Sequence, residues 1–108
     1  MIMSCIEIVP ADNRRQDILQ ILQFVESAVR TNPGCTCTAI YEKLGQNDTI
    51  LYVEQWESER ELRSRIQSRA YLPILNAIDL AREEPKISFH EVTSTRSMEL
   101  IEELRTCP

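Results

Sequence analysis

Hydrophobic and polar positions change period several times along the chain, and each change marks an element. From Thr49 to Trp56 the residues are β-branched and aromatic, with few helix formers before Glu54, and predict a strand. Ser58, followed three residues later by Glu61, is a capping box, and Leu62 and Ile66 begin a helical spacing beyond it. A strand therefore gives way to a helix within two residues of the only tryptophan.

The other elements fall into place around this junction. Residues 2–9 alternate as a first strand, closed by Pro10. Asp12 or Asn13 can cap a helix whose apolar face carries Ile18, Ile21, Leu22, Val25, Ala28 and Val29, and Asn32-Pro33-Gly34 stops it. A second strand is expected over 35–44, with a turn at Gly45-Gln46-Asn47-Asp48 making a hairpin with the strand that follows. Residues 58–83 are helical, but Pro73 lacks an N–H and predicts a break over 68–72. Beyond it Ile74, Leu75, Ile78 and Ala81 share a face, and Pro85 ends the helix. Residues 86–92 form a fourth strand. Met98, Ile101 and Leu104 then recur at helical spacing among glutamates.

The order β-α-β-β-α-β is the split βαβ arrangement of an α+β, ferredoxin-like fold. Right-handed crossovers put both helices on one face of an antiparallel sheet. Residues 1–93 are expected to form this domain, and 94–108 an amphipathic tail ordered against another part of the protein or a partner. The other sheet face should be polar if water covers it. Instead, strand three places Ile50, Tyr52 and Trp56 on one side and Leu51 and Val53 on the other. Strand one sets Ile2, Ile6 and Ile8 against Met3, Cys5 and Val9. Both faces are apolar, which predicts a face-to-face homodimer.

Composition narrows the function classes. The 108 residues suit one domain, with 43% hydrophobic and 27% charged residues as in ordinary globular proteins. No apolar run approaches ~18 residues and the N-terminus has no basic, apolar leader, so neither a membrane span nor a signal peptide is expected. A net charge of −5 argues against nucleic acid or an anionic membrane as partner. Arg60, Arg63, Arg65 and Arg69 alternate with Glu57, Glu59 and Glu61, which reads as a solvated helix face of mixed charge. The four cysteines at 5, 35, 37 and 107 are expected as free thiols in a reducing cytoplasm. Cys35 and Cys37 would share a strand face by period two, and no second close pair offers a zinc site.

The run Leu51-Tyr-Val-Glu-Gln-Trp-Glu-Ser58, the helix after it, Asn32-Pro33-Gly34-Cys35 and the closing Phe89-His-Glu-Val92 resemble the antibiotic biosynthesis monooxygenase family. The resemblance covers roughly residues 2–93 and implies a dimeric α+β barrel built from ferredoxin-like protomers. Relatives include cofactor-free oxygenases of quinols and phenols, haem-degrading enzymes and isomerases of signal molecules. Trp56 matches the tryptophan that ends strand three, which lines the pocket in some oxygenases. Where many relatives carry His-x-x-Ser-x-His-Phe on the second helix, this chain has Arg65-Ile-Gln-Ser-Arg-Ala-Tyr71. Ser68 and an aromatic remain, and Arg65 and Ala70 replace both histidines. The haem-degrading branch also wants an asparagine on strand one, which is missing.

The implied oxygenase chemistry needs neither metal nor flavin, because a deprotonated dihydroxyaromatic can itself pass an electron to dioxygen. The protein must hold the ring in a dry pocket, stabilise the phenolate and help move a proton. His90 is the sole histidine, the side-chain type whose unperturbed pKa lies near ~6.5, and is the candidate base; otherwise it bonds a neighbour at the dimer interface. Tyr52, on the same face as Trp56, could meet the same ligand or pack at an interface. Trp56 could stack on substrate or simply fill the core. Arg65 and Tyr71 could border the pocket mouth, with Arg65 on an oxyanion, whereas pairing with Glu61 at i,i+4 explains Arg65 without a ligand. The expectation is a cofactor-independent monooxygenase of a small aromatic substrate and dioxygen. The alternative is a non-catalytic dimeric module that binds a small ligand or a protein. A cavity between sheet and helices reached by both His90 and Tyr52 favours the enzyme, and a filled core favours the module.

Overall fold

A computed structural model describes residues 1–45 and 48–106. The elements run β1 (Ile2–Ile8), α1 (Arg15–Val29), β2 (Cys35–Glu42), β3 (Ile50–Trp56), α2 (Glu59–Gln67), a 3-10 turn (Arg69–Tyr71), α3 (Leu72–Asp79), β4 (Lys86–Glu91) and α4 (Met98–Thr106). The four strands form one antiparallel sheet in the order β2-β3-β1-β4, the α+β ferredoxin-like arrangement that the hydrophobic periods predict. Gly45 lies in the left-handed region at φ 75°, as the expected turn after β2 requires; Gln46 and Asn47 of that turn lie outside the described residues.

Period two decides which side chains face the helices. Ile6 and Ile8 of β1 and Ile50 and Tyr52 of β3 are buried against Ile18, Leu22 and Val25 of α1 and Ile74 and Ala77 of α3. A smaller cluster joins Ile2, Val29, Trp56 and Leu62 at the strand-to-helix junction. The Ser58 hydroxyl accepts from the Glu61 N–H at 3.3 Å, so half of the capping box is made. The Glu61 carboxylate lies instead over Gly34, where a Cβ would stand 2.5 Å from its Oε2.

The helical run breaks where Pro73 predicts. Ser68 takes an extended conformation and its hydroxyl donates to the Arg65 carbonyl at 2.7 Å, ending α2. The chain restarts with Pro73 in the first turn of α3, where its missing N–H has no partner to lose. Asp12 and Asn13 do not cap α1; its N-cap is Arg14, with no side-chain bond.

A register shift between Cys35 and Cys37 corrects one expectation. Cys35 pairs with Trp56 and Cys37 with Gln55, neighbours that point to opposite sides of β3. The extra residue breaks period two, so the two cysteines do not share a face. Cys35 packs beside Trp56, while Cys37 is exposed.

Candidate functional site

The junction places a buried ionic cluster under the helices. Tyr52, Glu54 and Trp56 alternate on the helix-facing side of β3, and α2 turns Leu62 and Arg65 inward against them. The Glu54 carboxylate accepts three hydrogen bonds: Tyr52 OH at 2.5 Å and Arg65 Nη2 at 3.0 Å on Oε2, and Trp56 Nε1 at 3.0 Å on Oε1. Glu54 and Arg65 are 2% and 6% exposed. A charge this dry persists only when paired and hydrogen-bonded, and here three donors converge on one carboxylate. The Arg65 guanidinium carbon also stands 5.9 Å from the ring centroids of both Trp56 and Tyr71, within reach of cation–π attraction.

Arg65 is therefore not a surface partner of Glu61. The helix period turns it to the sheet together with Leu62, three residues earlier, and Glu54 neutralises it there. Its Nε is, among the described residues, the one buried side-chain nitrogen or oxygen without a hydrogen-bond partner. Arg65 also forms part of the wall of an open cleft of about 540 Å³. Phe24, Val25, Ala28 and Val29 of α1 make one side, Asn32 and Pro33 the end, and Ala70 and Pro73 the other side. The volume lies within the usual range of ligand sites, and the lining is apolar around one cation.

Four residues singled out by the sequence thus come together: Tyr52, Trp56, Arg65 and Tyr71. Only Arg65 lines the cleft; Trp56 and Tyr52 are sealed behind it at 0% and 1% exposure. His90 does not join them. It is opposite Met3 on β4, whereas Ser4 and Ile6 carry the helix-facing side of β1. His90 Nε2 stands 2.9 Å from Ser88 Oγ on the outer side of the sheet, and His90 borders a separate groove at the β4 edge. Among the described residues, none of the main cavities is lined by both His90 and Tyr52.

Glu54 is the residue that sequence reasoning missed. The signal was its position, since alternation puts residue 54 on the same face as Tyr52 and Trp56, where a carboxylate needs a buried cation.

Burial, and then the Glu54 charge, pushes the Tyr52 hydroxyl far above the ordinary tyrosine range, and the same causes raise Tyr71. Tyr52 is thus held as a donor rather than a base. Unfolded tyrosines ionise near ~10. The contribution of Tyr52 to stability is present below that pH and declines as pH rises above it, because the unfolded chain then releases the proton first. Urea midpoints measured between about pH 9 and about pH 11 should fall, and Tyr52→Phe should flatten the fall; equal slopes in both proteins would refute the assignment.

Burial also raises the Cys5 and Cys35 thiols, away from the reactive thiolate form. Among the described residues no three His, Cys, Asp or Glu side chains gather as metal ligands would, and no helix is long and apolar enough to cross a membrane.

Comparison with solved structures finds the same fold repeatedly. A candidate antibiotic biosynthesis monooxygenase of Deinococcus radiodurans superposes with a TM-score of 0.80 at 18% identity, over 91% of this chain and 98% of that one. Rv0793 from Mycobacterium tuberculosis gives 0.79 at 16% identity, over 89% and 98%. A Bacteroides thetaiotaomicron protein of unknown function, described as a possible oxidoreductase, gives 0.76 at 15%, over 84% and 96%. At these identities the likeness establishes the fold. Comparison with curated proteins finds no match. The family model for antibiotic biosynthesis monooxygenases matches residues 1–75, which hold the first three strands, the junction and the Glu54–Arg65 pair, and the chain belongs to that family.

Proposed function

We propose that the protein is a cofactor-independent monooxygenase of a small quinol or phenol, working as a homodimer in the cytoplasm. The observation that carries this reading is the cleft at Arg65: apolar walls around one buried guanidinium with an unpaired Nε–H. In this reading a phenolic ring lies between the α1 side chains and Pro73, with its oxygen towards Arg65. A guanidinium hydrogen bond to that oxygen favours the phenolate, the form that gives an electron to dioxygen, although Glu54 already balances the charge of Arg65. The substrate supplies all four electrons. A hydroquinone and dioxygen become a hydroxyquinone and water, with one oxygen atom entering the ring and the other leaving as water.

In this reading Glu54, Tyr52, Trp56 and Tyr71 do not touch substrate. They hold Arg65 in place, and Glu54 leaves its Nε free by binding Nη2. His90 takes no direct part. Oxygen uptake with a panel of hydroquinones should exceed buffer autoxidation, fall at least about a hundredfold in Arg65→Met, and be unchanged in His90→Ala. No uptake above autoxidation across the panel would overturn the proposal.

Two observations favour a second reading, a non-catalytic small-ligand module of the same fold. The cavity reached by both His90 and Tyr52 that was expected of the enzyme is not found among the described residues, and the cleft offers few free polar groups. Besides Arg65, the polar lining of the cleft is Thr31 and Asn32, and both are engaged locally. Thr31 Oγ1 donates to the Ala28 carbonyl at 2.9 Å, and Asn32 Oδ1 accepts from the Gly34 N–H at 3.0 Å. A phenol that raises Tm without consuming oxygen would select this reading.

A further inference from the structure

The helix α4 presents an apolar stripe that its own domain leaves uncovered. Met98, Ile101 and Leu104 are 62%, 56% and 67% exposed. A helix of nine residues is marginal in water by itself, so this one needs a surface to lie on. It also stretches the chain. The radius of gyration is 16.1 Å, against about 13 Å for a compact chain of this length, and the long axis is 52 Å.

The domain has a groove with an apolar floor that, among the described residues, no helix fills. It lies between α2 and the edge strand β4, measures about 320 Å³, and has an apolar floor of Ile2, Leu62, Ile66 and Phe89 rimmed by Glu59, Arg63, His90 and Glu91. Ile66 and Phe89 are 40% and 48% exposed, and Ile87, two residues from Phe89 on the same strand face, is 45% exposed. One chain thus carries an unfilled groove and an uncovered helix that leaves from β4, the strand beside it.

The geometry points to a reciprocal exchange in which α4 of each copy covers the β4-edge groove of the other. This rests on the homodimer of the preceding section. Area favours a second copy as the occupant. The outer face of four strands of about seven residues spans on the order of 400 Å². A standard interface needs about 800 Å² per partner. Two exchanged helices and two covered grooves supply the remainder, continuous with the sheet face because β4 is the edge of both.

The test is the oligomeric state of the full chain by sedimentation, wild type against Met98→Ser/Ile101→Ser/Leu104→Ser. All three positions are exposed within the chain, so the variant keeps the domain fold. The dimer should dissociate at a concentration at least about a hundredfold higher in the variant, a floor for the loss of six apolar contacts across the two arms. A dimer of unchanged affinity would overturn the exchange and leave the homodimer standing; a wild type monomeric at all concentrations would overturn both. With the four native cysteines replaced by alanine, oxidised Phe89→Cys/Ile101→Cys should run as a covalent dimer on a denaturing gel. A bridge confined to single chains would place α4 on its own groove and overturn the proposal.

Discussion

Glu54→Leu should lower stability by about 3–5 kcal/mol, the cost of leaving a buried charge without its partner. For a domain of this size that is a fall in Tm of roughly 15–25 °C. Among the described residues the carboxylate is the only acceptor of the Arg65 side chain, and it also takes the Tyr52 hydroxyl and Trp56 Nε1. Removing it strands a cation and two neutral donors together. Glu54→Leu/Arg65→Met should regain part of the loss, since a buried pair replaced by apolar groups of similar volume is often close to neutral. A deficit of about 1–3 kcal/mol for each of the two stranded donors should remain. The measurement is urea unfolding of the single and double variants at one protein concentration, because dimerisation would otherwise move the midpoint. If the double variant is no more stable than Glu54→Leu, the pair is not the dry, mutually neutralising unit described.

Trp56→Ala should cost about 3–5 kcal/mol on its own. The indole is fully buried at the corner where β3 turns into α2, packed with Ile2, Val29 and Leu62. The truncation leaves a cavity that the strand and helix cannot both relax to fill, because each is anchored elsewhere. Trp56→Phe keeps most of the volume and loses the bond to Glu54 Oε1, so it should cost about 1–3 kcal/mol. Loss of oxygenase activity in Trp56→Ala therefore reports the displacement of Arg65 as much as any contact with a ligand. Activities are best compared well below the Tm of the weaker variant. A Trp56→Ala protein within about 1 kcal/mol of wild type would contradict the burial that the structure assigns to it.

The two predictions concern the same place because the fold puts its only described buried ion pair beneath the cleft. In the proposed reading, a ligand in the cleft meets a guanidinium that the protein has already desolvated. The cost of stripping water from that cation was met on folding, which leaves more of the ligand's contact to appear as affinity.

Much of this was readable in advance, for local reasons. Ser58 and Glu61 marked the start of α2, Pro73 the break before α3, and alternation the two apolar faces of β1 and β3, because capping, a missing N–H and period two act within a few residues. Reading Arg65 as a surface residue failed for a physical reason. A run of alternating arginine and glutamate looks solvated, and its nearest carboxylate in sequence, Glu61, sits over Gly34 while Glu54 makes the bond. Reading Cys35 and Cys37 as sharing a face failed because a bulge is one extra residue in a ladder, visible only against the partner strand.

The sequence by itself determined the order and kind of the elements and the aromatic and charged residues at the junction of β3 and α2, since these follow from short-range periodicity and backbone chemistry. Tertiary structure alone decided which charges meet and which side each group faces. The face of His90 depends on the register of β4 against β1, where a slip of one residue would reverse it. The partner of Arg65 depends on desolvation, which removes both ions from water together and so selects the carboxylate buried beside it over the one nearer in the chain.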